Sequence, residues 1–237
     1  MLFSVLSTAA MALSILAPTV AAVPTPGPQK GNTGLTKLAA RMPKSALPAP
    51  DGLQLKFVGL GIGTQNYTCK PGNDTAEPGT TGAVAKLYDL GTRLNTDPLA
   101  DWKISTISGL ALNMYDYPAV LNGLLWSQGY QQVLGDHFFT ITVPTFYLNK
   151  VNATPKPLAF VKKNLGVDAP KSACPGIKGE GAIQWLHLID NGNSQGGVNT
   201  VYRLETAGGA KPKTCKGMPE HWEVPYAAQY WVYGPAA

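Results

Sequence analysis

From Gly52 onward, apolar and polar residues alternate in short runs closed by Gly, Pro, Asn and Asp, the pattern of strands joined by turns. Leu53-Gln54-Leu55-Lys56-Phe57 places Leu53, Leu55 and Phe57 on one face. Comparable runs occupy 82–88, 137–143 (ended by Pro144), 183–189, 198–206 and 224–233. Strands at this spacing predict an all-β fold: a single antiparallel β-sandwich or barrel-like domain over 51–237, with long loops and little helix. Residues 104–129 fit the pattern less well. There, 121–128 is compatible with a short helix that Pro118 and nearby glycines limit.

Composition supports this reading. The chain holds 26 Gly and 20 Pro against 19 Lys plus Arg and 14 Asp plus Glu, which excludes a helical bundle or coiled coil. A hydrophobic share of 44%, with 10 Tyr and 5 Trp, supplies a core and excludes global disorder. The net charge of +5 is local: Lys30, Lys37, Arg41 and Lys44 all precede the first acid, Asp51, leaving 15 cations against 14 anions in 51–237. No basic stripe interleaves with aromatics, so no nucleic-acid partner is expected. The basic charge belongs to 23–50, whose six prolines predict a disordered linker.

The compartment is legible at the N-terminus. Residues 1–22, uncharged and ending Val20-Ala21-Ala22, predict a secretory signal peptide, with no membrane attachment after cleavage. Sequons at Asn66, Asn73 and Asn152 are candidate glycosylation sites, with Asn73 and Asn152 in polar loops and Asn66 among apolar neighbours. The three cysteines allow one bridge. Cys69 and Cys215 each follow a strand-like segment and are paired, leaving Cys174 over. No Cys-x-x-Cys or His-x-x-x-His spacing occurs, so neither a metal nor a cofactor is expected.

Two motifs resemble catalytic signatures. Gly59-Leu60-Gly61-Ile62-Gly63 follows a strand, but the residues after it cannot open the helix a dinucleotide site needs, and a glycine-rich strand end or bulge is the better reading. Gly192-Asn193-Ser194-Gln195-Gly196 matches a nucleophile elbow, yet a strand-like segment follows it and reads as one arm of a hairpin. The ligand-binding candidates are Gln65, Tyr67, His137, Tyr202, Arg203, Tyr226 and Tyr230, chosen for aromatic faces and polar groups on neighbouring strands. His187, within a strand, reads as a packed histidine.

A family resemblance rests on blocks in order: 63–69, 82–88, Gly135-Asp136-His137-Phe138-Phe139, Trp185-Leu186-His187-Leu188, 201–209, Thr214-Cys215 and 226–233. Together they resemble the secreted fungal family called domain of unknown function 3455, whose members often carry the automatic name malate dehydrogenase. The resemblance implies a secreted β-rich domain, favours the Cys69–Cys215 bridge and brings no catalytic residue; nothing in the residues supports a malate dehydrogenase. The expected function is a secreted, non-catalytic domain that binds a carbohydrate or another extracellular or cell-wall surface. A hydrolase using Ser194 or His137 is the alternative.

Overall fold

The computed structural model describes residues 34–236. The signal-peptide reading of 1–22 lies outside the described residues. Eight strands form the body: β1 (Leu53–Thr68), β2 (Gly79–Asp89), β3 (Val133–Thr140), β4 (Val143–Tyr147), β5 (Leu158–Val167), β6 (Trp185–Asp190), β7 (Thr200–Gly208) and β8 (His221–Pro235). Each pairs antiparallel with its neighbour in sequence, and β8 pairs back onto β1 along almost its whole length. The sheet is a closed up-and-down barrel, and closure leaves no unpaired edge. Of the two architectures the strand pattern allowed, the barrel is the one formed.

The run at 137–143 is two strands rather than one. Thr140 and Val143 close a tight hairpin over Ile141, whose φ of 61° supplies the reversal, and Pro144 stands inside β4 rather than ending a strand. Polar Lys162-Lys163-Asn164 hid β5 from the alternation.

Four helices accompany the barrel: α1 (Thr36–Ala39), α2 (Gly91–Leu94), α3 (Ala100–Asn113) and α4 (Pro118–Gln128). The last three fill the connection from β2 to β3. In α3 the buried positions Ala100, Ile104, Ile107, Ser108, Ala111 and Leu112 recur at helical spacing. That stripe lies across the outside of β7, β8 and β1. Pro118 starts α4 instead of limiting it, since its missing N–H is one the first turn would leave unpaired anyway. Gly129, at φ 72°, ends it.

Along β1, β7 and β8 both faces of the barrel wall are therefore buried. Outside, Val58, Leu60, Leu204, Ala227 and Trp231 pack beneath the helices; inside, Leu87, Phe146, Val161, Leu188 and Tyr230 form a second cluster. Residues 34–50 join the outer cluster through Leu35, Leu38 and Leu47. The expectation of a disordered linker over 23–50 is corrected for that part: three leucines there cover apolar barrel surface, and the Tyr202 hydroxyl donates to the Pro48 carbonyl at 2.9 Å.

Candidate ligand-binding site

An eight-stranded barrel has an interior just wide enough to be filled by side chains or to hold one small ligand. At one end this interior is packed shut by Phe57, Leu148, Val151, Val198 and Val232. Towards the other end it opens as a cavity of about 880 Å³. Its walls carry Ala83, Phe139, Phe146, Val161, Ile183, Leu186 and Leu188, and among them stand Gln65, Tyr67, His137, Arg203 and Tyr230. Five of the seven candidates thus meet in one concavity.

Strand register explains the convergence. His137 on β3 faces Ala85 of β2 and Phe146 of β4, and Arg203 on β7 faces Leu186 of β6 and Tyr230 of β8. Side chains directly opposite one another share a face, so the lumen collects one row from each strand. On β1 that inward row includes Gly59, Gly61 and Gly63. A Cβ on Gly61 would run into the Tyr230 ring, and one on Gly63 into the Val84 carbonyl. The glycine motif read as a strand end or bulge lies in the middle of β1, where the missing side chains leave room for the Tyr230 ring and for close approach of β2.

His137 is 3% exposed and stacks on Phe146 with ring centroids 4.1 Å apart. Its Nδ1 lies 2.9 Å from the Thr145 carbonyl oxygen. A carbonyl only accepts, so Nδ1 carries the proton and the neutral ring keeps Nε2 as an acceptor. Burial pushes the imidazole down to about 4; the Thr145 bond works against this, and the Arg203 charge adds to it.

Arg203 donates from Nε and Nη2 to the Gln184 carbonyl, at 3.1 and 2.9 Å, and makes no ion pair among the described residues. Gln65 is 5% exposed, and its Nε2 has no partner within hydrogen-bond geometry. Tyr226 is not among the residues that line the cavity, but its hydroxyl lies 2.7 Å from that of Tyr230. Tyr67 donates to the Gly209 carbonyl, and burial raises its phenol to about 12, with the Arg203 charge opposing.

The mouth is clamped from outside the sheet. Cys69, just past β1, is bonded to Cys215 in the connection between β7 and β8, as the sequence reading paired them. Beside it the Cys69 N–H donates to the Glu220 carbonyl, the Cys215 N–H to the Ala76 carbonyl, and Lys211 bridges to Glu77 at 2.9 Å.

Residues 48–234 match the family described as protein of unknown function (DUF3455). The chain belongs to this family. Among curated proteins and among solved structures, nothing matches it. The DUF3455 match spans the whole barrel with its cavity, and leaves α1 and the leucines before Pro48 outside.

In this DUF3455 barrel, Tyr202 stands apart from the other candidates. It faces outward, stacked on His187 at 4.6 Å and covered by the 34–50 segment. Tyr202, Tyr226 and Tyr230 are all 1% exposed or less, so they form no outward stacking platform. Ser194 lies in the connection between β6 and β7, where its Oγ accepts from the Phe160 N–H at 2.9 Å and reaches the Phe160 carbonyl at 3.2 Å. No hydrogen bond joins Ser194 to a histidine among the described residues. Asn73 and Asn152 are exposed in loops, and Asn66 is half-buried on the outside of β1.

Strand alternation missed the contributors from β4 and β5. Phe146 and Lys163 belong to strands hidden behind Pro144 and the lysine pair, and both line the cavity. A second, smaller hollow lies between α3 and β7, where Ser108, Cys174 and Glu205 meet. Glu205 sits at a break in register with φ 46°, and burial raises its carboxyl to about 7.

Proposed function

We propose that the protein is a secreted, non-catalytic binding domain whose ligand enters the open mouth of the barrel. The ligand is a small molecule or the end group of a wall carbohydrate. The observation that carries this reading is the cavity itself: apolar and aromatic walls with a few polar groups among them, inside a closed ring of eight strands that is packed shut at one end. A polymer lying flat across Tyr202, Tyr226 and Tyr230 does not fit, because those three tyrosines are buried. Secretion is supported by the uncharged leader, by sequons at exposed Asn73 and Asn152, and by a disulfide of the kind oxidising compartments maintain.

One preparation tests both halves. Protein expressed with its own leader is expected in the medium with Val23 as its first residue. Titrated with the neutral fluorophore N-phenyl-1-naphthylamine, or with short wall oligosaccharides, it should bind one equivalent saturably. Ala83→Trp, which fills the lumen from β2, should abolish that binding while leaving the far-ultraviolet dichroism unchanged. Retention in the cell with Met1 intact, or no saturable binding by the unaltered protein, would overturn the proposal.

A further inference from the structure

The chain as a whole is nearly neutral from Asp51 on, but the cavity is not. Lys162, Lys163, Arg203 and Lys211 line it against one carboxylate, Glu77, and Glu77 is already bonded to Lys211. Arg203 is held by a neutral carbonyl, which fixes two of its N–H groups and compensates none of its charge. Its charge is felt around the lumen, at Tyr67, His137, Tyr226 and Tyr230. A second observation is independent of charge. Gln65 is buried on the cavity wall, where its Nε2 donor makes no hydrogen bond of full geometry and has the Tyr226 hydroxyl beside it, so it is free to turn to a better acceptor. Donors are thus in surplus beside the apolar wall formed by Phe139, Phe146 and Leu188, and a group with two acceptor oxygens and a negative charge would satisfy them.

We infer that the lumen binds an organic carboxylate with an aromatic or aliphatic body, its carboxyl group held by Arg203 and Gln65. The inference rests on the reading of the lumen as the binding site and adds the chemical class of the occupant. Lys163, whose Nζ reaches the Gln184 side chain at 3.2 Å near the mouth, draws the anion in. His137 offers its free Nε2 to a hydroxyl on the same molecule, which favours a hydroxy acid over the plain acid.

Three probes of one shape separate this from the broader reading: 1-naphthoate, 1-naphthamide and 1-naphthylmethylammonium, titrated by fluorescence at low salt. Naphthoate should bind at least about tenfold tighter than the amide, and the ammonium weakest. Raising the salt to about 0.5 M should shrink that advantage. Arg203→Gln should remove most of it, and Gln65→Met, which removes the side-chain amide at nearly the same length, should weaken naphthoate by about tenfold while the protein stays folded. If Arg203→Gln does not fold, the ranking in the unaltered protein and Gln65→Met still decide. Equal binding of amide and naphthoate, or tighter binding of the ammonium, overturns the carboxylate inference and leaves the lumen as a binding site. Binding of none of the three overturns both.

Discussion

At the residue scale, two buried titratable groups set opposite pH slopes over nearly the same range. The folded pKa of His137, about 4, lies below its ordinary value, so the unfolded chain takes up the proton first. Its contribution is complete above pH 6.5 and is lost as pH falls towards 4, about 3 kcal/mol in all. Glu205 runs the other way, because its folded pKa is raised to about 7: stability is lost as pH climbs from 4.5 to 7. Melting temperatures across pH 4–8 should therefore rise with pH more steeply in Glu205→Gln than in the unaltered protein, and should fall with pH in His137→Gln. An unchanged profile in Glu205→Gln would remove Glu205 from the account. Two glycines make a second test. Gly61→Ala pushes a methyl group into the Tyr230 ring and should cost about 1–3 kcal/mol in denaturant unfolding. Gly123→Ala, in open space on α4, should gain about 0.5–1 kcal/mol. Equal effects at the two positions would contradict the packing described for the lumen.

Among the elements, the mouth depends on connections rather than on strands. The Cys69–Cys215 bridge spans 146 residues, and a loop of that size is worth about 5 kcal/mol in the chain-entropy model. It also ties the turn after β1 to the connection before β8, both of which contribute cavity residues. Replacing both cysteines by serine should lower the melting temperature and weaken probe binding together, whereas Cys174→Ser, in the hollow under α3 and outside the cavity lining, should change stability by less than about 1 kcal/mol. A reductant that leaves the melting temperature unmoved would show that the clamp carries no stability. The elements that sequence alternation missed share a cause. The buried stripe of α3 is spaced for a helix, but its other face carries exposed Trp102 and Leu110, which blur the amphipathic pattern. Strands β4 and β5 are blurred by a proline and by lysines that a strand tolerates on a solvent-facing or lumen-facing side.

For the whole molecule, period-two alternation in 53–57, 82–88 and 224–233 was enough to determine an antiparallel β fold, and cysteine placement was enough to pair Cys69 with Cys215. Alternation is a local signal, carried by residues close together in the chain. Alternation says that two side chains lie on opposite faces, but not which face looks inward, nor whether both are covered. In β8 it separated Tyr226 and Tyr230 from Trp231 and Tyr233; only closure of the barrel sent the first pair into the lumen, and only α3 and the 34–50 segment buried the second. The same limit explains Tyr202, which sits beside Arg203 in sequence and faces away from it. Convergence of Gln65, His137 and Arg203 from β1, β3 and β7 is a property of register around a closed ring of eight strands. Long-range pairing decides it, and no short stretch of sequence encodes it, because the contacts that place these groups join residues up to the length of the domain apart.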